Sequence, residues 1–231
     1  MRIMPVGDSM TIGSAGEHTW RIRLWRHLTA ASGSPVRMVG PHSALHEGSD
    51  AYADRSAPAH ARGHLAAWGT GFTHHAHTVH DALRAHPADI ALVSLGLMDL
   101  GFYTDPDQTA ANVRLFVAAA RRAAPGIRTV LLPVLPNIRV ATDGAFAARV
   151  ERFNELLAER AAELSTHASP LLVASAPPGW DHTRDTRDGT HPSPRGEHRI
   201  AAAFADTLHR AWEVGGAYPS PREERATVST G

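Results

Sequence analysis

The chain contains no cysteine and no lysine. Without thiols it has no disulfide, no thiolate metal site and no cysteine nucleophile. Without lysine it has no Schiff-base amine and no P-loop ammonium, and all 23 basic side chains are arginine. Any nucleophile is therefore an oxygen or an imidazole. An excess of charge is missing too. The 23 basic residues balance 23 acidic ones, which argues against a nucleic acid or an anionic membrane as a partner held by bulk electrostatics. No apolar run reaches the roughly 20 residues of a membrane span, and the amino terminus lacks a signal-peptide core. The expectation is a cytoplasmic chain whose partner is a small, non-polyanionic molecule. Oligomeric state leaves no trace in the sequence.

What is present is a chain of 231 residues, 43% hydrophobic, enough for one large core. A single domain is expected over residues 1–214, with a disordered tail over 215–231. The apolar run Ile3 to Val6 reads as a first strand, ended by Gly7, Asp8 and Ser9. A helix from about Glu17 to Ser32 follows, then a short strand within Pro35 to Gly40. The stretch from Pro41 to Gly71 is irregular and reads as one long loop, of the kind that usually forms a lid or mobile segment. Beyond it lie a helix over Phe72 to Ala85, a strand in "DIALVSLG", and a helix capped by Asp105 with Pro106 at its first position. "RTVLLPVLP", the helix "DGAFAARVERFNELLAERAAELS", the strand "PLLVAS" and a last helix opening at Ser193-Pro194 complete the alternation. Strands alternating with helices force parallel pairing. The fold class is α/β: a three-layer α/β/α sandwich around a five-stranded parallel sheet, for which a flavodoxin-like strand order is suitable.

Three segments share the predicted carboxyl rim of that sheet: Gly7-Asp8-Ser9, the stretch Ser94 to Gly101, and Asp188 to Glu197. In open α/β sheets that rim is where ligands bind. A serine hydroxyl is a poor nucleophile near neutral pH unless a base sits within hydrogen-bond reach. Asp188 and His191, three residues apart in a turn before a helix, supply an imidazole and a carboxylate that can hold its tautomer, with Nε2 left for Ser9. The bland reading makes Asp188 a turn residue and His191 a surface imidazole. The backbone N–H of Ser9 is a candidate oxyanion donor.

The order of these blocks resembles the SGNH hydrolase superfamily, also called the GDSL family of esterases and lipases, from the amino-terminal G-D-S to the carboxyl-terminal D-x-x-H-P. The resemblance runs from about Arg2 to Trp212. It implies a flavodoxin-like SGNH fold with Ser9 as nucleophile, His191 as base and Asp188 as orienting acid, and neither metal nor organic cofactor. Two positions depart from the family pattern. Where the family commonly has G-x-N-D, with the asparagine amide donating to the oxyanion, this chain has Gly96-Leu97-Met98-Asp99, and Met98 has no proton to donate. The family's second-block glycine, whose N–H also serves the oxyanion, aligns with Ala67 when Trp68 is matched, with Gly63 as the alternative. Asp8, Trp68 and Met98 are the expected substrate-side residues; Trp68 reads equally as pocket wall or as packing.

His74, His75, His77 and His80 lie within one helix, but no carboxylate completes a zinc pattern, and they read as a solvated face. "GDSMTIG" lacks the lysine and spacing of a phosphate loop. The leading function is a serine esterase or deacylase acting on a small ester through an acyl-enzyme. The alternatives are an acyltransferase passing the acyl group to an alcohol or amine, and a non-catalytic binding protein with a degraded oxyanion hole.

Overall fold

In the computed structural model, which describes residues 1–31 and 33–219, the first apolar run forms β1 (Arg2–Gly7) and passes directly into a one-turn helix, α1 (Ser9–Ile12). There follow α2 (Thr19–Ala31), β2 (Arg37–Met38), β3 (Leu65–Ala66), α3 (Phe72–Ala85), β4 (Ile90–Ser94), α4 (Pro106–Ala123), β5 (Arg128–Leu132), α5 (Ile138–Thr142), α6 (Gly144–Leu164), β6 (Leu171–Val173), α7 (His182–Asp185) and α8 (Pro194–Trp212). All strand pairings are parallel. The order β2-β1-β4-β5-β6 is the flavodoxin-like one, and β3 adds a sixth strand that also pairs with β1.

That sixth strand corrects the reading of residues 41 to 71 as a structureless loop. Two residues give no alternating pattern to read. β3 exists because β1 offers it an open edge, in the register Val6 to Leu65 and Gly7 to Ala66. The same edge explains Pro5, a residue that disfavours central strands because it has no N–H to donate. The carbonyl of Ile3 accepts from Val39 and that of Gly7 from Ala67. Pro5 points to the same side between them, where the neighbour changes from β2 to β3, so no ladder bond is lost.

Helices cover both faces. On one, α3, α4 and α6 bury Phe72, Phe116 and Phe153, whose rings meet at 5.8 and 6.4 Å. On the other, α2 and α8 bury Trp20 against Phe204 at 4.8 Å. Full burial of each such side chain is worth about 1.5–3 kcal/mol. The expected caps are present: Asp105 accepts from Gln108, and Ser193 from Gly196 with Pro194 at the first helical position. Of the expected tail, residues 215–219 are described, and they lie on α2 and α8. The Gly216 carbonyl meets His27 Nε2 at 2.9 Å, and the Tyr218 hydroxyl meets His198 Nδ1 at 3.0 Å. The expected disorder of the rest falls outside the described residues.

Residues 41–64 are tied down by a buried arginine. Arg21, with no exposed surface, donates Nε to the Thr11 carbonyl at 2.7 Å and Nη2 to the Ile12 carbonyl at 2.9 Å, the last two residues of α1. Nη1 donates to the Arg62 carbonyl at 3.0 Å and Nη2 to the Tyr52 hydroxyl at 3.2 Å, which itself donates to Ser43. Around it Ile22, Leu45, Tyr52, Ala57 and Ala61 form a small separate core. Among the described residues the cation has no carboxylate partner; backbone dipoles satisfy it, and burial lowers its pKa. Arg21→Met leaves three carbonyls unpaired, one buried and two partly buried, each worth about 1–3 kcal/mol when fully desolvated. The expected result is a loss of at least about 3 kcal/mol in denaturant titration, with limited proteolysis opening first within residues 41–64.

Candidate active site

The turn after β1 has room only for glycine at position 7. A Cβ there would stand 2.0 Å from Thr11 Oγ1 and 2.9 Å from the Ser94 carbonyl. Asp8 then caps α1, its carboxylate accepting the Met10 N–H at 3.0 Å, and Ser9 is the first helical residue. This corrects the placement of Asp8 on the substrate side: its side chain is 2% exposed and lies under the turn. Burial pushes the Asp8 carboxyl up to about 7, helped by the nearby Asp99 carboxylate and opposed by the Met10 N–H. The Ser9 N–H, at the first helical position, is one of the donors a helix leaves without an intrahelical acceptor.

The second half of the site is a seven-residue loop closed at its base. Thr186 and Pro192 form an antiparallel bridge, the Arg187 N–H donates to the His191 carbonyl, and the Ser193 N–H donates to that of Asp185. Gly189 supplies the left-handed residue at φ +87°. Inside the loop, Asp188 Oδ1 accepts the N–H groups of Thr190 at 3.0 Å and His191 at 2.8 Å, and Oδ2 lies 2.6 Å from His191 Nδ1. Partial burial opposes ionisation of Asp188, but these three hydrogen bonds outweigh it and hold the carboxyl down to about 2. A carboxylate only accepts, so Nδ1 carries the proton and Nε2 presents its lone pair. Nε2 lies 3.0 Å from Ser9 Oγ. The three residues singled out from the sequence therefore meet within hydrogen-bond distance.

The two second-block candidates are placed otherwise. The N–H of Ala67 continues the β3 ladder and is committed to the Gly7 carbonyl at 3.2 Å. Gly63 sits at the β2 end of the same edge, where a Cβ would strike the backbone of Met38 and Val39. The Ala67 amide is thereby spent within the sheet, which corrects that assignment. Met98 is half-buried at the start of a π-helical turn, Asp99–Tyr103, and offers only a thioether.

Trp68 is 42% exposed and lies against the site, its ring stacked on that of His191 with centroids 4.7 Å apart and planes at 29°. Among the described residues, four of the five exposed large hydrophobic side chains, Trp68, Phe102, Tyr103 and Ile138, belong to segments that follow β3, β4 and β5. They form a connected rim. The Tyr103 hydroxyl donates to the Gly69 carbonyl at 2.7 Å, Arg139 donates to Gly101 at 3.2 Å, and the Ile138 N–H donates to Gly189 at 2.7 Å.

Two supporting groups were not legible as such. Asp99 is fully buried and accepts the N–H groups of Phe72 at 2.8 Å and Thr73 at 3.0 Å, capping α3 from 27 residues downstream. Burial raises its pKa against those two bonds. Gly71 leaves the space it needs, since a Cβ would stand 2.3 Å from its Oδ2. His75 corrects the reading of a solvated histidine face: it is 3% exposed, and its Nε2–H donates to the Gly7 carbonyl at 3.1 Å. Burial lowers its pKa to about 4, so it is neutral. His74 and His77 are exposed as expected.

The buried Asp8 makes stability depend on pH in a stated direction. Its carboxyl titrates near 3.8 unfolded and at about 7 folded, so the stability it carries in the protonated state drains away as pH rises between those values. Asp8→Asn keeps an oxygen acceptor for Met10 and removes the titration. The variant is expected to gain on the wild type from about pH 4 to about pH 7 and to hold a constant difference above that, as read from urea midpoints across the range. A difference that does not vary with pH would overturn the assignment.

A search of curated protein sequences finds no match. The sequence profile of the GDSL-like lipase/acylhydrolase family matches residues 6–199. Among solved structures the fold is similar to that of a mutant acetyl esterase with an acetate ion, at 21% identity and TM-score 0.74, covering 91% of this chain and 97% of that one. It is also similar to a family 3 carbohydrate esterase from Talaromyces cellulolyticus, at 22% identity and TM-score 0.75, with the same 91% and 97% coverage. A family 3 carbohydrate esterase from Clostridium thermocellum aligns at 19% identity and TM-score 0.70, covering 94% of this chain and 99% of that one. With the profile match running from the end of β1 into α8, the chain belongs to the GDSL-like lipase/acylhydrolase family of the SGNH hydrolase superfamily and is a carboxylic ester hydrolase of that type.

Proposed function

We propose that the protein hydrolyses a small ester through an acyl-enzyme on Ser9, with His191 as general base and Asp188 as the carboxylate that orients and supports it. The observation that carries this reading is the continuous path from Asp188 Oδ2 to Nδ1 at 2.6 Å and from Nε2 to Ser9 Oγ at 3.0 Å. His191 Nε2 takes the Ser9 proton as Oγ attacks the carbonyl carbon, and the developing oxyanion turns toward the Ser9 N–H. The imidazolium returns that proton to the leaving alcohol. Water then attacks the acyl-enzyme with His191 again as base, which frees the acid and restores Ser9. Asp188, held near a pKa of 2, stays ionised throughout and balances the charge formed on the ring. Positioned acid–base catalysis of this kind contributes about 10²–10⁴-fold.

A second reading, transfer of the acyl group to an alcohol or amine, is favoured by one feature, the thioether of Met98 where relatives place an oxyanion-donating amide. Such a donor is typically worth about 10²–10³ in turnover. A site with weakened hydrolysis still passes an acyl group to a well-held acceptor.

Ser9→Ala is expected to lose fluorophosphonate labelling and, with His191→Ala, to lower kcat on p-nitrophenyl acetate by at least about 10³-fold; labelling that survives in Ser9→Ala would overturn the reading. Met98→Asn is expected to raise hydrolytic kcat by about 10-fold or more. Measured with an added alcohol acceptor, product partition separates the two readings: mainly ester product in the wild type supports transfer, mainly acid supports hydrolysis.

A further inference from the structure

The rim of the site contains a stack of three rings that the proposed chemistry does not yet use. Trp68 lies between two imidazoles, with His191 at 4.7 Å and 29° and His46 at 4.2 Å and 27°. Core packing does not account for this arrangement, because the indole is 42% exposed on a turn after β3. His46 comes from a short 3₁₀ turn, His46–Gly48, in which Glu47 holds the left-handed conformation at φ 57°, an uncommon state for a residue with a side chain. The His46 N–H donates to the Gly13 carbonyl at 2.9 Å, and the Gly13 N–H donates to the Ser9 carbonyl at 3.3 Å. The contacts thus close a circuit: Ser9 to His191 by hydrogen bond, His191 to Trp68 and Trp68 to His46 by stacking, and His46 through Gly13 back to Ser9.

We infer that Trp68 is a positioning residue for His191, clamping the face of the imidazole while His46 backs the indole. The inference rests on the reading of His191 as the general base. Asp188 meets the ring at Nδ1 and Ser9 Oγ meets it at Nε2, two in-plane contacts that leave the ring free to turn about the line joining them. The stacked indole removes this freedom and keeps Nε2 aimed at Oγ. It acts again after proton transfer, since the face of an indole attracts a cation, and the imidazolium forms only on the way to the transition state. The groups that set the charge around His191 are Asp188 in its own loop, Arg187 beside it with its Glu17 and Ser14 partners from the α1–α2 connection, buried Asp8 beneath Ser9, and His46 and Glu47 behind the indole.

The test compares wild type, Trp68→Phe, Trp68→Leu and His46→Leu on p-nitrophenyl acetate, a substrate too small to use the outer rim. Trp68→Leu is expected to lower kcat by about tenfold with KM little changed, and to move the acid limb of the kcat/KM profile to lower pH. Trp68→Phe retains most of the rate, and His46→Leu gives a smaller fall of the same kind. A Trp68→Leu enzyme with unchanged kcat and acid limb, or one altered in KM alone, would overturn the inference, as would a phenylalanine variant as impaired as the leucine one. His191→Ala run alongside keeps the two readings apart. If it retains wild-type activity, the base assignment itself fails; if it is inactive while Trp68→Leu is unaffected, only the clamp is lost. Because Trp68 is exposed and His46 half-buried, equal thermal midpoints check the fold, and the phenylalanine variant gives a rank order even if the leucine one is destabilised.

Discussion

A parallel sheet gathers every strand end on one edge, and here that edge brings together two residues 182 apart in sequence, Ser9 and His191. Their hydrogen bond is the constraint on which the site depends. A displacement of about 1 Å at such a contact costs on the order of 10²-fold in rate, so each end must be held locally as well as by the sheet. Asp8 and the crowded Gly7 turn hold the serine; the Thr186–Pro192 bridge and the Asp188 turn hold the histidine.

Behind the serine, stiffness comes from buried polar groups that spend their hydrogen bonds on backbone carbonyls. The Gly7 carbonyl takes the Ala67 N–H and the His75 ring N–H, which fastens the Ser9 turn to β3 and α3 at once. Arg21 does the same from the opposite side, joining the end of α1 to residues 43, 52 and 62 through one guanidinium and Tyr52. Each group is costly to bury, and its bonds to backbone carbonyls offset that cost. The result is that residues 41–64 form a packed wall attached to α1, where a lid or mobile segment would have been the ordinary reading of so irregular a stretch.

The pattern of legibility follows from range. Helices whose caps lie next to them in sequence, such as those begun by Asp105 and Ser193, were readable to within a residue or two. The proximity of Ser9, Asp188 and His191 was readable too, because short motifs fixed each half and the alternation of strands and helices placed both on one rim. What escaped was set by distant partners. β3 has no pattern of its own, α3 is capped from Asp99, and His75 is buried by a carbonyl from β1. Ala67 illustrates the limit most sharply. Aligning its letter to the family glycine was reasonable, yet its amide is taken by a ladder that only pairing with β1 creates.

The departure at Met98 bears on how the remaining groups share the work. Ester hydrolysis by a serine and histidine separates charge in the transition state, a cation on the imidazole and an anion on the substrate oxygen. In the proposed mechanism the cationic side is met by an ionised Asp188 at Nδ1 and an indole across the ring face. In the same proposal the anionic side has the Ser9 N–H and no side-chain amide at position 98. The rim beside the site is apolar, made by Trp68, Phe102, Tyr103 and Ile138, and a surrounding of lower dielectric strengthens each remaining charge–dipole interaction. A substrate that covers this rim would therefore recover part of what the missing amide withholds. On the proposed mechanism, then, the rate would depend on how completely a substrate fills the mouth of the site, and the exposed side chains of the rim would act in rate as well as in recognition.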